Sequence, residues 1–193
     1  CSEVAFREAV AKRYPRDAYT VTDKMPVWLM KENADMQPIF DEQLTRCGVE
    51  YFDFYLFHNV NEVNIDAYLD PQYEIYDYLI AQRDKGLIKH LGFSTHGSVE
   101  TISRFLKAYG KDMEFCQIQL NYIDYTLQKA KEVIELLNEY NIPVWVMEPL
   151  RGGKLANIDD NYLEQLKDAE QTTALGYVLK QTELFLLDGK RSL

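Results

Sequence analysis

The sequence predicts an α/β fold built on a parallel sheet, and three observations carry that prediction. Short segments dense in β-branched and aromatic residues alternate with amphipathic stretches that carry helix punctuation. The strand-like segments begin near residues 19, 51, 90, 115 and 143, a spacing that suits βα units with the helices outside the sheet. Each of these segments also ends in polar residues, as expected of a sheet that delivers its chemistry at the C-terminal ends of its strands. Two architectures fit this reading. One is an open, doubly wound sheet with its ligand at a topological switch point. The other is a (β/α)8 barrel with its site on the strand ends, and eight such units take about 250 residues. The chain has 193 residues. It is read as one domain over 1–193, either an open sheet by design or a barrel with part of it missing.

Taken in order, residues 3–13 form a first helix and 18–24 (AYTVTDK) a first strand. A helix over 35–48 leads to the strand 51–58 (YFDFYLFH). The next helix has Asp70 as its N-cap, Pro71 at its first position and Gly86 at its end. After the strand 89–95 (KHLGFST), Ser98 caps a helix whose apolar face is Val99, Ile102, Phe105, Leu106 and Tyr109, ended by Gly110. The strand 114–121 (EFCQIQLN) precedes a helix over 126–140 that turns Leu127, Ala130, Ile134 and Leu137 to the core. The strand 143–149 (PVWVMEP) follows, and a last helix is expected at about 172–178.

Composition narrows the function. Apolar residues make up 47% and charged residues 27%, an ordinary globular balance. A net charge of −10 argues against nucleic acid or an anionic membrane as partner, since both need a basic face. No apolar run is long enough to span a bilayer, and the first twenty residues carry charges in every turn, unlike a signal peptide. Cys1, Cys47 and Cys116 are odd in number and far apart, which predicts reduced thiols in the cytoplasm and no metal or disulfide framework. The chain opens on Cys1, not Met, and is expected to be incomplete.

The strand ends hold Lys24, His58, Ser94-Thr95-His96, Gln117-Gln119-Asn121 and Glu148. A lysine and a histidine converging on one mouth can lower the pKa of a phenol or polarise a carbonyl oxygen. The turn Arg151-Gly152-Gly153-Lys154 puts two flexible glycines between two cations, which suits an approaching anion. No HExxH, CxxC, GxGxxG or GxxxxGK[ST] motif is present, so no metal site and none of the usual phosphate cradles is expected. Trp28, in the apolar loop after the first strand, and His96 are the candidate walls of a substrate pocket.

The ordered series TDK, LFH, LGFST, QIQLNY and VMEPLRGGKL resembles the aldo-keto reductase family, a group of NADP(H)-dependent (β/α)8 barrels. The GFSTH and MEPLRGGKL wording is most similar to its bacterial branch with an appended iron–sulfur segment, and the likeness runs from Ser2 to about Leu155. The resemblance implies an incomplete (β/α)8 barrel, an open parallel arc of about five to six βα units. It implies a carbonyl–alcohol oxidoreductase with a small carbonyl substrate and NADP(H) as cofactor. Lys24 and His58 match the lysine and histidine of the family's Tyr-Lys-His-Asp tetrad, in which the Tyr is the general acid. Ser94 and Gln117 match the residues that bind the nicotinamide carboxamide. Thr95 stands where many members have Asn, and Met147 where a ring-stacking Tyr is common. Pro149, Leu150, Arg151, Gly152, Gly153 and Lys154 match a loop that approaches the cofactor phosphates.

The departures from the family are as informative. The tetrad Asp and Tyr precede the Ser-Glu motif that begins here at Cys1-Ser2-Glu3, and none of the 14 tyrosines matches the catalytic one. The segment 176–193 begins like a last barrel helix and holds no recognisable eighth strand. Neither the basic motif for the adenosine 2′-phosphate nor a cysteine cluster for an iron–sulfur centre is evident. Loss of a phenol acid removes a factor of about 10²–10⁴ in rate. Open sheet edges predict self-association. The alternatives are a non-catalytic reductase-like remnant that binds nucleotide or a partner, and a five-stranded doubly wound ligand-binding module.

Overall fold

The computed structural model describes residues 1–155 apart from Lys31, Tyr122 and Lys154. The helix expected at 172–178 and the segment 176–193 lie outside the described residues. The chain divides into two compact units, Cys1–Glu114 and a second that starts at Phe115.

In the first unit, α1 (Ser2–Phe6) runs on into a π-helical turn over Arg7–Ala11. The strand β1 (Thr22–Met25) starts later than its β-rich sequence suggests, because Arg16–Ala18 form a 3-10 turn first. The helix α2 (Met36–Cys47) ends on Gly48, whose φ of 70° is the left-handed conformation a helix C-terminus favours in glycine. Next come β2 (Phe52–Val60), the short α3 (Ile65–Leu69) and α4 (Ile75–Asp84). Asp70 does cap a turn, accepting from the Gln72 amide, but that turn is 3-10. Glu74, at φ 48°, separates it from α4. Then follow β3 (Ile88–Thr95) and α5 (Val99–Tyr109), where the Ser98 hydroxyl accepts from the Thr101 amide as an N-cap should.

The three strands lie in chain order and pair in parallel. That register decides which side chains share a face. Lys24 pairs with Leu56 and Leu56 with Gly92, so Lys24, Leu56, His58, Gly92 and Ser94 project from one side of the sheet. Their neighbours Asp23, Tyr55, Phe57, Leu91 and Phe93 project from the other, toward the helices. On the helix side Phe105 of α5 packs against Phe57, Tyr68 and Phe93 at ring distances of 5.4, 6.1 and 4.8 Å. Phe40 of α2 meets Phe52 and Tyr55 at 5.5 and 5.2 Å. These fully buried rings are the core of the unit, and the covered helix face explains the apolar stripe read from α5.

One carboxylate ties the start of the strands together. Asp53 accepts from Arg16 (2.6 Å), from the Val21 amide (2.9 Å) and from Lys89 (3.1 Å). Burial pushes its pKa up, but these hydrogen bonds outweigh burial and hold it below the usual carboxylate range.

In the second unit β4 (Cys116–Gln119) is followed by α6 (Asp124–Leu127), α7 (Ala130–Glu139) and β5 (Val144–Met147). The single helix expected over 126–140 is two, because Lys129 sits at φ 54° between them. Buried Ala130, Ile134 and Leu137 face the core as expected, with Val133. The two strands are parallel, and Gln117, Gln119, Trp145 and Met147 share one face. Within each unit the strands follow chain order without the reversal of a doubly wound sheet. Five strands of an incomplete (β/α)8-type arrangement are therefore present among the described residues.

Candidate active site

Lys24 and His58 are delivered by the C-terminal halves of β1 and β2 to the same face of the sheet. They line a cavity of about 400 Å³ together with Thr22, Asp23, Pro26, Trp28 and residues of α2. Trp28 closes on His58 edge to face at 4.7 Å, although the indole itself is 64% exposed. No tyrosine lines this cavity among the described residues. On β2, buried Tyr55 points to the helix side and donates to Gln43 at 2.5 Å.

The backbone around His58 is fixed from several directions. Tyr68 Oη donates to the His58 carbonyl at 2.7 Å. Asn59 adopts φ 55° at a register shift between β2 and β3, a bulge that re-aims the strand just past the histidine. The Asn59 amide donates to Ser94 Oγ at 3.0 Å, so Ser94 helps to set the bulge. Burial pushes the His58 pKa down, and the nearby Lys24 and His96 push it further, to about 4. The imidazole is neutral at pH 7, and its Nδ1 is buried without a hydrogen-bond partner among the described residues. Burial also lowers the Lys24 pKa, with Asp23 opposing. Asp23, on the helix side with Cys47 Sγ 3.9 Å away, is raised by burial to about 6.

The other expected residues fall as follows. Ser94 and Thr95 are buried at the end of β3, and Thr95 Oγ1 donates to the Val60 carbonyl (2.7 Å) and accepts from the Gly97 amide (2.9 Å). His96 is exposed in the turn that follows and does not line the cavity. In the second unit Gln117 and Met147 share one face two register positions apart, with Gln119 directly opposite Met147. Pro149, Leu150, Gly152 and Gly153 are exposed and Arg151 half-buried, while Lys154 lies outside the described residues. Nothing lies within 4 Å of where a Cβ would stand on Gly152 or Gly153, so the loop backbone is open to an approaching group. An amide side chain, a guanidinium and open glycine backbone offer hydrogen-bond donors, and the thioether offers a polarizable face, a set that fits a nicotinamide dinucleotide. Among the described residues no group of three or more His, Cys, Asp or Glu side chains is placed to hold a metal ion. No helix there is long and apolar enough to cross a membrane.

Sequence reasoning passed over Asp124, which is fully buried and accepts from Gln119, Asn121 and Gln128. The Asn-x-x-Asp spacing of Asn121 and Asp124 was the available signal, a common local hydrogen-bonded turn.

The Aldo/keto reductase family model matches residues 1–188. No curated protein matches the sequence. The fold is similar to that of an aldo/keto reductase from Brucella melitensis, at 21% identity and a TM-score of 0.66, over 85% of this chain and 58% of that one. It is similar to a Bombyx mori aldo-keto reductase in complex with NADP, at 20% identity and a TM-score of 0.55, over 76% and 47%. It is also similar to the holo form of an aldo-keto reductase from Bacillus halodurans, at 22% and a TM-score of 0.59, over 78% and 47%. The chain thus spans roughly half the length of these structures. The register that puts Lys24 and His58 on one face, and the match along nearly the whole sequence, lead to one conclusion: the chain belongs to the aldo/keto reductase family.

Proposed function

We propose that this chain binds NADP(H) and a small carbonyl compound and carries the lysine–histidine half of a carbonyl reductase site. The observation that carries the reading is the convergence of Lys24, His58 and Trp28 on one cavity, with the imidazole held neutral. When bound, the nicotinamide cofactor supplies or accepts hydride. By the family resemblance, Ser94 in the first unit would contact its carboxamide; in the second unit Gln117 would do the same, Met147 would offer a face to the ring, and Arg151 with the open glycines would meet its phosphates. A neutral His58 donates a hydrogen bond to the carbonyl oxygen, and the Lys24 ammonium stabilises the charge that develops there. Trp28 keeps water from that oxygen. Among the described residues no phenol lines the cavity, and a site working without a general-acid tyrosine turns over about 10²–10⁴ more slowly than one that has it. A cytoplasmic setting is supported by three free cysteines, two of them buried.

The test is NADPH titration by fluorescence, combined with NADPH-dependent reduction of a generic aldehyde. Loss of the residual turnover in both Lys24→Met and His58→Ala supports the assignment. Turnover that survives both substitutions overturns it.

A further inference from the structure

The loop after β5 is held in a costly conformation. Glu148 and Arg151 have φ of 57° and 49°, followed by Gly152 and Gly153 at 65° and 86°. Left-handed backbone at a non-glycine residue persists only where the surroundings impose it. The Arg151 amide donates to the Glu148 carbonyl at 3.0 Å within the loop, and two side-chain contacts hold the loop to the rest of the unit, both leading to Asp124. Asn121 Nδ2 bonds the Asp124 carboxylate at 2.5 Å and the Glu148 carbonyl at 3.1 Å, pinning the start of the loop. Arg151 Nη2 stands 3.6 Å from Asp124 Oδ1, pinning its middle. Gln119 (2.8 Å) and Gln128 (3.0 Å) complete the donors around a carboxylate with no solvent exposure.

We propose that Asp124 is the positioning residue of the phosphate-binding loop. It holds one part of the Arg151 guanidinium and, through Asn121, the Glu148 carbonyl. The remaining guanidinium N–H groups are thereby presented to an anionic phosphate. A guanidinium has five donors in a rigid fork, so one can engage a buried carboxylate while others meet a phosphate. This rests on the reading that the loop meets the phosphates of NADP(H). The Arg151 side chain is 38% exposed, which leaves it reachable from solvent.

Two readouts on the full chain test it. The first needs no ligand: deuterium uptake by the amides of 148–155 in Asp124→Asn rises severalfold over wild type, while uptake in α5 is unchanged. Equal uptake at 148–155 overturns the proposal. The second is a double-substitution cycle read by NADPH affinity. Asp124→Asn weakens binding about tenfold, the scale of a misplaced charge-assisted hydrogen bond. In an Arg151→Gln background the same change costs less than about twofold. The blue shift of bound NADPH fluorescence is the same in every variant that binds. Equal losses in the two backgrounds mean a merely structural aspartate and overturn the proposal. Arg151→Lys tests the same contact without a buried change, and binding as tight as wild type counts against it. If wild type binds no NADPH, the phosphate reading fails, and with it the phosphate role of Asp124. The exchange comparison then still decides whether Asp124 holds the loop.

Discussion

Replacing Lys24 with methionine should raise the pH at which His58 takes up a proton. In the structure burial is the largest cause of the low His58 pKa, and the Lys24 charge is the second. The drop from 6.5 to about 4 corresponds at full strength to about 3 kcal/mol favouring the neutral ring. Solvent screening at a half-buried site brings this to roughly 1–2 kcal/mol. A depressed histidine pKa contributes stability that is present above about pH 6.5 and is lost as pH falls toward 4. The assay is an NMR titration of the ring protons, with only three histidines to assign and His58→Gln to identify the signal. Wild-type His58 should titrate near 4, and Lys24→Met should move it toward 6.5 without reaching it, because burial remains. A wild-type midpoint at 6.5 or above refutes the reasoning. So does a midpoint that the lysine substitution leaves unmoved.

Other expectations follow from the same geometry. Asp23 is raised to about 6 in the folded chain, so the wild type loses stability as pH rises from about 4 to 6. Asp23→Asn should therefore stabilise by ~1–2 kcal/mol at pH 7.5 after screening, and hardly at all at pH 4. Urea unfolding at both pH values checks this, and equal effects at the two would contradict it. Phe105→Ala, which empties the ring cluster between α5 and the sheet, should cost about 3–5 kcal/mol in the same assay. Gly48→Ala places a Cβ 2.7 Å from Arg7 Cγ at a left-handed φ of 70°, and should destabilise by about 1–2 kcal/mol.

Much of the fold could be read from the sequence because strand and helix periods alternate cleanly. The aromatic density of 51–58 and the capped apolar stripe at 98–109 each have one physical interpretation, and both elements form where expected. The boundaries that moved did so through single backbone conformations. Glu74 and Lys129 in left-handed geometry split what periodicity presents as continuous helices, and a 3-10 turn at Arg16–Ala18 delays β1. No local pattern announces a non-glycine residue with positive φ. The convergence of Lys24 and His58 was legible, since parallel register puts strand ends together. The uses of Ser94 at the bulge and of Thr95 in its turn depend on contacts across the sheet and were not. Asp124 was hidden for the same reason: its partners Gln119, Gln128 and Arg151 come from three different segments.

Whether this chain binds the nicotinamide cofactor is decided most directly by an equilibrium titration with NADPH, followed by nicotinamide fluorescence, in wild type and Gln117→Ala. Saturable binding is expected in the wild type, weakened about three- to tenfold in Gln117→Ala by loss of one carboxamide hydrogen bond. Absence of saturable binding by the wild type, or identical affinity in the variant, would contradict that expectation.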